Sequence, residues 1–448
     1  MLKLREIFSN LRASFWFIPL LIVIVDSILA VALIEADSVG SDRWLAHWPR
    51  LFGAGAEGSR QMLSTLAGSM MTVLGVTFSM TLVALTLASS QYTSRVLRIF
   101  MRSKITQTTL GVFAGTFTYC LIVLRTIRSN DVVEFIPGLA VFFAFVLALG
   151  SVGILIFFIH HIASSIQASS IIASVARETY SAIDRLFPDE KGQGAKEQGS
   201  EEKEDEEQFL RLLDDKTWCA VQAEESGYIQ SVDSEALLRL ACEKKTILRM
   251  ERGTGDFVVE KTVLASLTLE KAPDKETIAA INAAYSININ RTVDQDPAFG
   301  IRQIVDIALK ALSPGVNDTS TAVMCVDHLT AILAHLAGRQ LPPSRISQDG
   351  ELRVIRIVPT FESLLADSFD QIRRSAAGNV AVMARIISAF DNIASLTGSP
   401  RRRQALWEQT QWIAELAERT IESRHDLKYI KRRLMQLSEM LEAQRHQS

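Results

Sequence analysis

The amino-acid sequence predicts an α-helical membrane protein of about four transmembrane helices. These are joined to a mostly helical, α+β cytosolic C-terminal domain that contains a small β barrel-sandwich-like region. Three observations carry this expectation. Roughly the first third of the 448 residues is almost free of charge in long blocks, and the remainder has the mixed charge of a water-exposed domain. A short stretch after an acidic linker reads as several short strands separated by turn signals at Gly227 and Gly253–Asp256.

A spanning helix needs about 20 mostly apolar residues, because each residue rises ~1.5 Å through ~30 Å of hydrocarbon. No Asp, Glu, Lys or Arg occurs between Arg60 and Arg95, between Lys104 and Arg125, or between Glu134 and Arg177. The transmembrane domain is therefore placed at residues 1–160, with spans at 66–88, 108–124 and 135–159. A first span at 15–34 is interrupted by Asp26. Lys3, Arg5 and Arg12 precede that segment, and Ala30-Val31-Ala32 has the small-x-small form of a cleavage site. A removed signal peptide is thus its rival reading. The length of the run, its internal acid and the interfacial aromatics Phe15, Trp16 and Phe17 favour a retained span.

Lys and Arg placement sets the expected orientation. The loop after the second span carries Arg95, Arg98, Arg102 and Lys104 with no acid. Arg43, Arg50 and Arg60 are balanced by Asp37, Asp42 and Glu57, and Arg125 and Arg128 by Asp131 and Glu134. The positive-inside rule then puts both termini and the 95–104 loop in the cytosol. No eukaryotic targeting signal competes, so a bacterial inner (plasma) membrane is expected. A net charge of −3 gives no electrostatic case for nucleic acid. Cys120, Cys219, Cys242 and Cys325 are scattered, with no CxxC pair and no nearby His at ligand spacing. Neither a disulfide framework nor a metal site is expected, and no cofactor is implied.

Within the spans, Ser69, Thr72, Ser79, Thr86 and Ser90 recur at helical spacing on one face. Such a stripe either lets helices pack closely or, in a symmetric oligomer, lines a wet pathway. Gly111 and Gly115 form a GxxxG match, and Ala140, Ala144 and Ala148 repeat the small-residue theme, which points to a tight bundle and a homo-oligomer. Asp26 is costly in mid-span, by ~3 kcal/mol, so it should face protein or water, either as an ion or proton site or as a bonded structural acid. His160-His161 sits at the cytosolic end of the fourth span, as an interfacial cap or as a pH or metal site.

Beyond the membrane, residues 161–187 read as a helical extension with Ile162, Ile166, Ile171, Val175 and Ile183 on its apolar faces. Residues 188–208, containing Glu201 to Glu207, read as a solvated acidic linker. A small β-rich domain follows at 209–272, with strands at 217–223, 228–232, 246–251, 257–259 and 263–269 and a helix at 234–244 capped by Asp233 or Ser234. The phrase from Gly255 to Leu264 is similar to the strand–turn–strand of lipoyl-type barrel-sandwich folds but lacks their lysine-centred hairpin. Residues 273–448 read as a helical cytosolic domain. Asp296-Pro297 starts one helix with the acid as N-cap and Pro at the first position. The Ser313-Pro314-Gly315-Val316-Asn317 run breaks it, and Asp318 caps the next helix, ending near Gly338. Every charge here has a structural explanation; the alternative is a ligand pocket formed by Arg291, Asp294, Arg302, Asn317 and Asp318. A strand is expected at 352–358 and helices at 360–374, 377–396, 402–422 and 427–443. In the last helix, Leu427, Ile430, Leu434, Leu437 and Leu441 form a short apolar seam, suited to packing within the chain or to oligomerisation.

Several phrases are distinctive: residues 11–19 (Leu-Arg-Ala-Ser-Phe-Trp-Phe-Ile-Pro), Gly75-Val76-Thr77-Phe78-Ser79, Ser89-Ser90-Gln91-Tyr92, and Asp296-Pro297-Ala298-Phe299-Gly300 leading to Leu312-Ser313-Pro314-Gly315-Val316-Asn317-Asp318. In these the chain resembles the bacterial "predicted membrane proteins", a family of unknown function. The resemblance covers most of the chain. It implies an integral membrane protein and carries over no reaction, substrate or catalytic residue.

Enzyme motifs are missing: there is no GxSxG, GxxxxGK[ST], HExxH or dinucleotide fingerprint, so catalysis is not expected. The leading functional expectation is an oligomeric channel or transporter-like protein for a small ion, lined by the second span and gated by the cytosolic domain. The alternative is a non-conducting membrane-anchored sensor or scaffold that binds a ligand or partner in the cytosol.

Overall fold

Three of the first four long helices, 17–40, 56–91 and 138–165, leave many large apolar side chains on the outside, as lipid-facing surfaces do, while the third, 104–126, is largely buried among them. The computed structural model describes residues 16–40, 55–91, 103–130, 133–187, 216–269 and 271–445. The basic residues 3–12 and 95–102 and the acidic linker at 188–208 lie outside them. The chain divides into two compact units, Met1–Ser170 and Ile171–Ser448. Among the described residues, five helices are long and apolar enough to cross a membrane: Phe17–Ser38, Ala56–Leu87, Lys104–Thr126, Gly138–Ser165 and Thr319–Ala337.

In the first unit, α1 (Phe17–Gly40), α2 (Ala56–Gln91), α3 (Lys104–Thr126) and α4 (Gly138–Ser165) surround a narrow core. A two-stranded hairpin, β1 (Arg128–Asn130) and β2 (Val133–Phe135), joins α3 to α4. The expected span from residue 135 therefore starts three residues later, because Phe135 pairs in β2 and Pro137 caps α4. Helix α3 is the hub, packed against each of the other three. Its Gly111 and Gly115 face α1, and a Cβ at 111 would lie 3.0 Å from the Pro19 backbone. The GxxxG pair thus serves an approach of helices within the chain. Tyr119 Oη donates to the Ala140 carbonyl at 2.8 Å, and the Thr116 and Ser151 hydroxyls meet at 3.4 Å, fastening α3 to α4.

The helical extension expected from 161 to 187 is not continuous. Helix α4 stops at Ser165 and α5 (Ala168–Leu186) begins after a turn at Ile166 and Gln167. Ser164 competes for the local carbonyls, donating to those of His160 and His161, which suits a helix end.

The second unit holds two sheets. Strands β3 (Trp218–Gln222), β7 (Val263–Thr268), β5 (Leu248–Met250), β10 (Glu351–Ile355) and β9 (Arg345–Gln348) form one, in that order, with only the β5–β10 pair parallel. Strands β6 (Phe257–Val258), β4 (Gly227–Val232) and β8 (Tyr285–Asn288) form an antiparallel three-stranded sheet. Helices α6 (Ser234–Glu243) and α7 (Lys275–Ala284) add side chains to the core shared by both sheets, around Val221, Ile229, Leu237, Leu248, Leu267 and Ile281. The region is thus a mixed α/β layer of two separate sheets, and the barrel-sandwich expectation is replaced by it. Strand β10 overlaps the strand expected at 352–358, but its place in this sheet, and β9 altogether, were not visible in the local 217–269 pattern.

A helical layer completes this unit: α8 (Pro297–Ala311), α9 (Thr319–Ala337), α10 (Phe361–Ser375), α11 (Val380–Leu396), α12 (Pro400–Thr420) and α13 (Arg424–Arg445). The seam residues Ile430, Leu434, Leu437 and Leu441 on α13 are buried against α11 and α12. Packing within the chain therefore uses that stripe.

Candidate functional site

The site grows from the entry of the chain into α8. Asp296 precedes Pro297, and its Oδ1 accepts the Phe299 N–H at 3.0 Å as an N-cap. Its Oδ2 accepts from Arg291 Nε and Nη2 at 2.9 and 2.6 Å, so one carboxylate serves both backbone and guanidinium. Asp296 is 4% exposed. Burial raises its carboxyl above the ordinary 3.8, with Arg291 opposing. Gly255 lies against this pair with φ +91°, and a Cβ there would stand 2.5 Å from both Arg291 Nη2 and Asp296 Oδ2. Only glycine supplies that backbone and that space.

Around the pair opens a cavity of about 450 Å³. The Gly253–Asp256 turn forms one wall, with Asp256 Oδ2 accepting the Gly253 N–H at 2.8 Å. Val232 and Met250 add apolar surface, and Arg356 stands on the segment after β10. The volume is in the range of small-molecule sites, roughly 300–1,000 Å³.

Of the pocket residues expected from the sequence, Arg291 alone lines this cavity. Asp294 is exposed and pairs with Arg185 at 3.5 Å. Arg302 pairs with Asp306 at 2.8 Å, one turn along α8. Asn317 takes a left-handed backbone, φ +47°, and Asp318 caps α9 through the Thr321 N–H at 3.0 Å. These last two sit beyond the far end of α8, a 15-residue helix, hence roughly 22 Å from Asp296. The five residues do not form one site. The structure assembles instead Arg291 with Asp296, Asp256 and Arg356. The Gly253–Asp256 turn and the Asp-Pro cap were visible in the sequence; Arg356 carried no local signal.

In the first unit, Asp26 is 9% exposed and lies against Gly115 of α3, where a Cβ would overlap its carboxylate. It faces protein, as the cost of an acid in a span demands. Asp37, read from the sequence as a loop acid, is part of α1 and accepts the Leu139 and Ala140 N–H groups at 3.3 and 3.2 Å, capping α4. The α2 stripe points the other way: Ser69, Thr72, Ser79 and Thr86 are all exposed. Ser69, Thr72 and Thr86 donate to carbonyls of their own helix at 2.8 to 2.9 Å. The Ser90 side chain lies outside the described residues. His161 meets Ser103 at 3.2 Å and Ser165 at 3.3 Å. Among the described residues, no three His, Cys, Asp or Glu side chains gather as metal ligands.

Together these features define a helical membrane protein with a separate α/β unit that holds a ligand-sized cavity. Residues 12–392 match the family described as "Predicted membrane protein (DUF2254)", and the chain belongs to that family. It is similar to uncharacterized proteins of Mycobacterium bovis and Mycobacterium tuberculosis, 33% identical over 374 residues, covering 82% of this chain and 70% of each relative. No solved structure matches it.

Proposed function

We propose that the chain is a bacterial plasma-membrane receptor: four spans anchor a cytosolic domain that binds a small molecule in the Arg291–Asp296 cavity. The cavity carries this reading. Its charged wall is rigid, since Arg291, Asp296, the Phe299 N–H and Gly255 fix one another, and a preorganised wall favours binding. Asp296 has its oxygens committed to partners, which suits a binding protein better than an acid–base catalyst.

Four spans are favoured over five by the character of α9. That helix turns Ala322, Cys325, Val326, Leu329, Ile332 and Leu333 into the core of its own unit. On its other side Asp327 pairs with Arg385 and His335 meets Asp184 at 2.8 Å. Asp327 and His328 in mid-helix suit a domain core and would be expensive in lipid.

The test is a metabolite library against the full chain in nanodiscs, followed by thermal unfolding. At least one compound raises the Tm, and plugging the cavity with Ala298→Trp removes the effect. No shift with any compound, or a shift that survives the plug, would overturn the receptor reading.

A second reading rests on the exposed hydroxyl face of α2: an oligomer of this chain with a conducting path lined by Ser69, Thr72, Ser79 and Thr86. The hydroxyls bonded to their own helix need no water, which favours close packing between copies over a wet pore. Ion flux in proteoliposomes, with aqueous thiol labelling at Thr72→Cys and Ser79→Cys, would reverse that preference.

A further inference from the structure

The charge a cavity selects is set by which of its polar groups still lack a partner. Of the two acids here, Asp296 has both oxygens engaged and Asp256 has one engaged by the backbone. Asp296 accepts from Arg291 and from the Phe299 N–H, and Asp256 accepts the Gly253 N–H. Arg356 differs. Its Nη2 donates to the Pro343 carbonyl at 2.6 Å, but its Nε is buried without a hydrogen-bond partner. Among the described residues no carboxylate pairs with it, and burial lowers its pKa with no acid to offset the effect. A guanidinium has five N–H donors, and a half-buried one with no counter-charge keeps donors available to an anion.

The backbone around the cavity adds partial positive charge, offset at two of its helices by the capping acids Asp233 and Asp296. Helices α6, α8 and α10 all begin at its wall, through Ser234, Pro297 and Ser363. Helix N-termini carry partial positive charge. The lining also includes the apolar side chains of Val232, Met250, Ile357 and Val358.

We propose that the cavity takes a small organic anion, an apolar body bearing one carboxylate or phosphate group, with that group seated on the Arg356 guanidinium. This rests on the receptor reading above and adds the ligand's chemistry to it. Arg291 is the wall of the site, balanced by Asp296, and Arg356 is its anion-binding group.

The experiment uses the full chain in nanodiscs at constant ionic strength, with four probes of one shape: phenylacetate, phenyl phosphate, phenylacetamide and phenethylamine. The acids are expected to raise the Tm and the amide and amine to leave it unchanged. Whichever acid gives the larger shift identifies the head group. Arg356→Gln should weaken acid binding roughly ten- to hundredfold, the range of a lost charge-assisted hydrogen bond, and Arg356→Lys should weaken it less. Without ligand, Arg356→Gln should melt close to wild type, since it removes a half-buried cation that has no carboxylate partner among the described residues and loses one hydrogen bond, to the Pro343 carbonyl. Stabilisation by the amide or amine equal to that by the acids would overturn the anion assignment while leaving the receptor reading intact. Undiminished acid binding in Arg356→Gln would overturn the role of that residue. If no probe of any charge moves the wild-type Tm, and the metabolite library is also silent, both readings fail.

Discussion

Arg291 and Asp296 form a two-pronged contact on one oxygen, Nε and Nη2 reaching Oδ2 at 2.9 and 2.6 Å, while Oδ1 holds the first turn of α8. The pair joins the cavity wall to the start of a core helix. Removing the cation should therefore hurt more than neutralising the acid. Arg291→Ala leaves a carboxylate buried without a counter-charge and is expected to cost ~3 kcal/mol. Asp296→Asn keeps an oxygen for the Phe299 N–H and should cost less. Denaturant unfolding of both single variants and the double variant would measure the coupling.

The same carboxyl predicts a pH dependence. Its folded pKa lies above the unfolded 3.8, chiefly because it is buried. The protonated form is thus the one folding favours; that contribution is complete below pH 3.8 and is lost as pH rises through the raised folded value. Asn carries no such penalty. The stability advantage of wild type over Asp296→Asn should shrink from pH 4 to pH 7, as read in paired denaturant melts. A growing advantage would contradict burial as the dominant cause.

Gly255→Ala should be destabilising by more than ~1 kcal/mol. The left-handed backbone is unfavourable for alanine, and its methyl would push on both members of the ion pair. Thermal unfolding checks the size. A loss equal to that of Gly315→Ala, where nothing lies within 4 Å, would mean the approach is loose.

In the membrane unit, Gly115→Ala should drive α1 from α3 and cost ~1–3 kcal/mol, because the new methyl overlaps the Asp26 carboxylate. Adding Asp26→Ala should recover part of that loss. Gly75→Ala on α2 meets nothing within 4 Å in the chain and should be tolerated in a monomer. Cross-linking before and after that substitution would report whether a second copy covers the face.

Leu437 is 2% exposed on α13. Leu437→Ala should cost ~2–5 kcal/mol in the C-terminal unit and leave the oligomeric state unchanged. Dissociation of an oligomer without a loss of stability would mean that the seam serves contacts between chains.

Much of the local structure was legible because its causes are local. Asp233, Asp296, Asp318 and Thr360 each accept an N–H from the turn they begin, as residues with short polar side chains do at helix starts. Strands at Trp218–Gln222, Gly227–Val232 and Val263–Thr268 fall where short apolar runs bounded by turn signals placed them. Tyr285–Asn288 and Arg345–Gln348 escaped notice, being four residues each and stabilised by partners distant in sequence. The turn at Ile166 and Gln167 escaped for the opposite reason: apolar periodicity runs through it, while Ser164 redirects the local hydrogen bonds.

By itself the sequence determined the existence of the four apolar helices and the caps at Asp233, Asp296 and Asp318, since hydropathy and capping depend on residues a few positions apart; it did not set the helix lengths, the span expected at 66–88 being part of a helix that runs from Ala56 to Gln91. Only the tertiary structure decided which charges share a site. Arg291 pairs with Asp296 and shares a cavity with Asp256 and Arg356 because β4, the Gly253–Asp256 turn, α8 and the segment after β10 converge there. Asn317 and Asp318, close in sequence to that pair, are carried away by the rigid length of α8. Proximity along the chain sets secondary structure; the packing of distant segments sets the chemistry of the cavity.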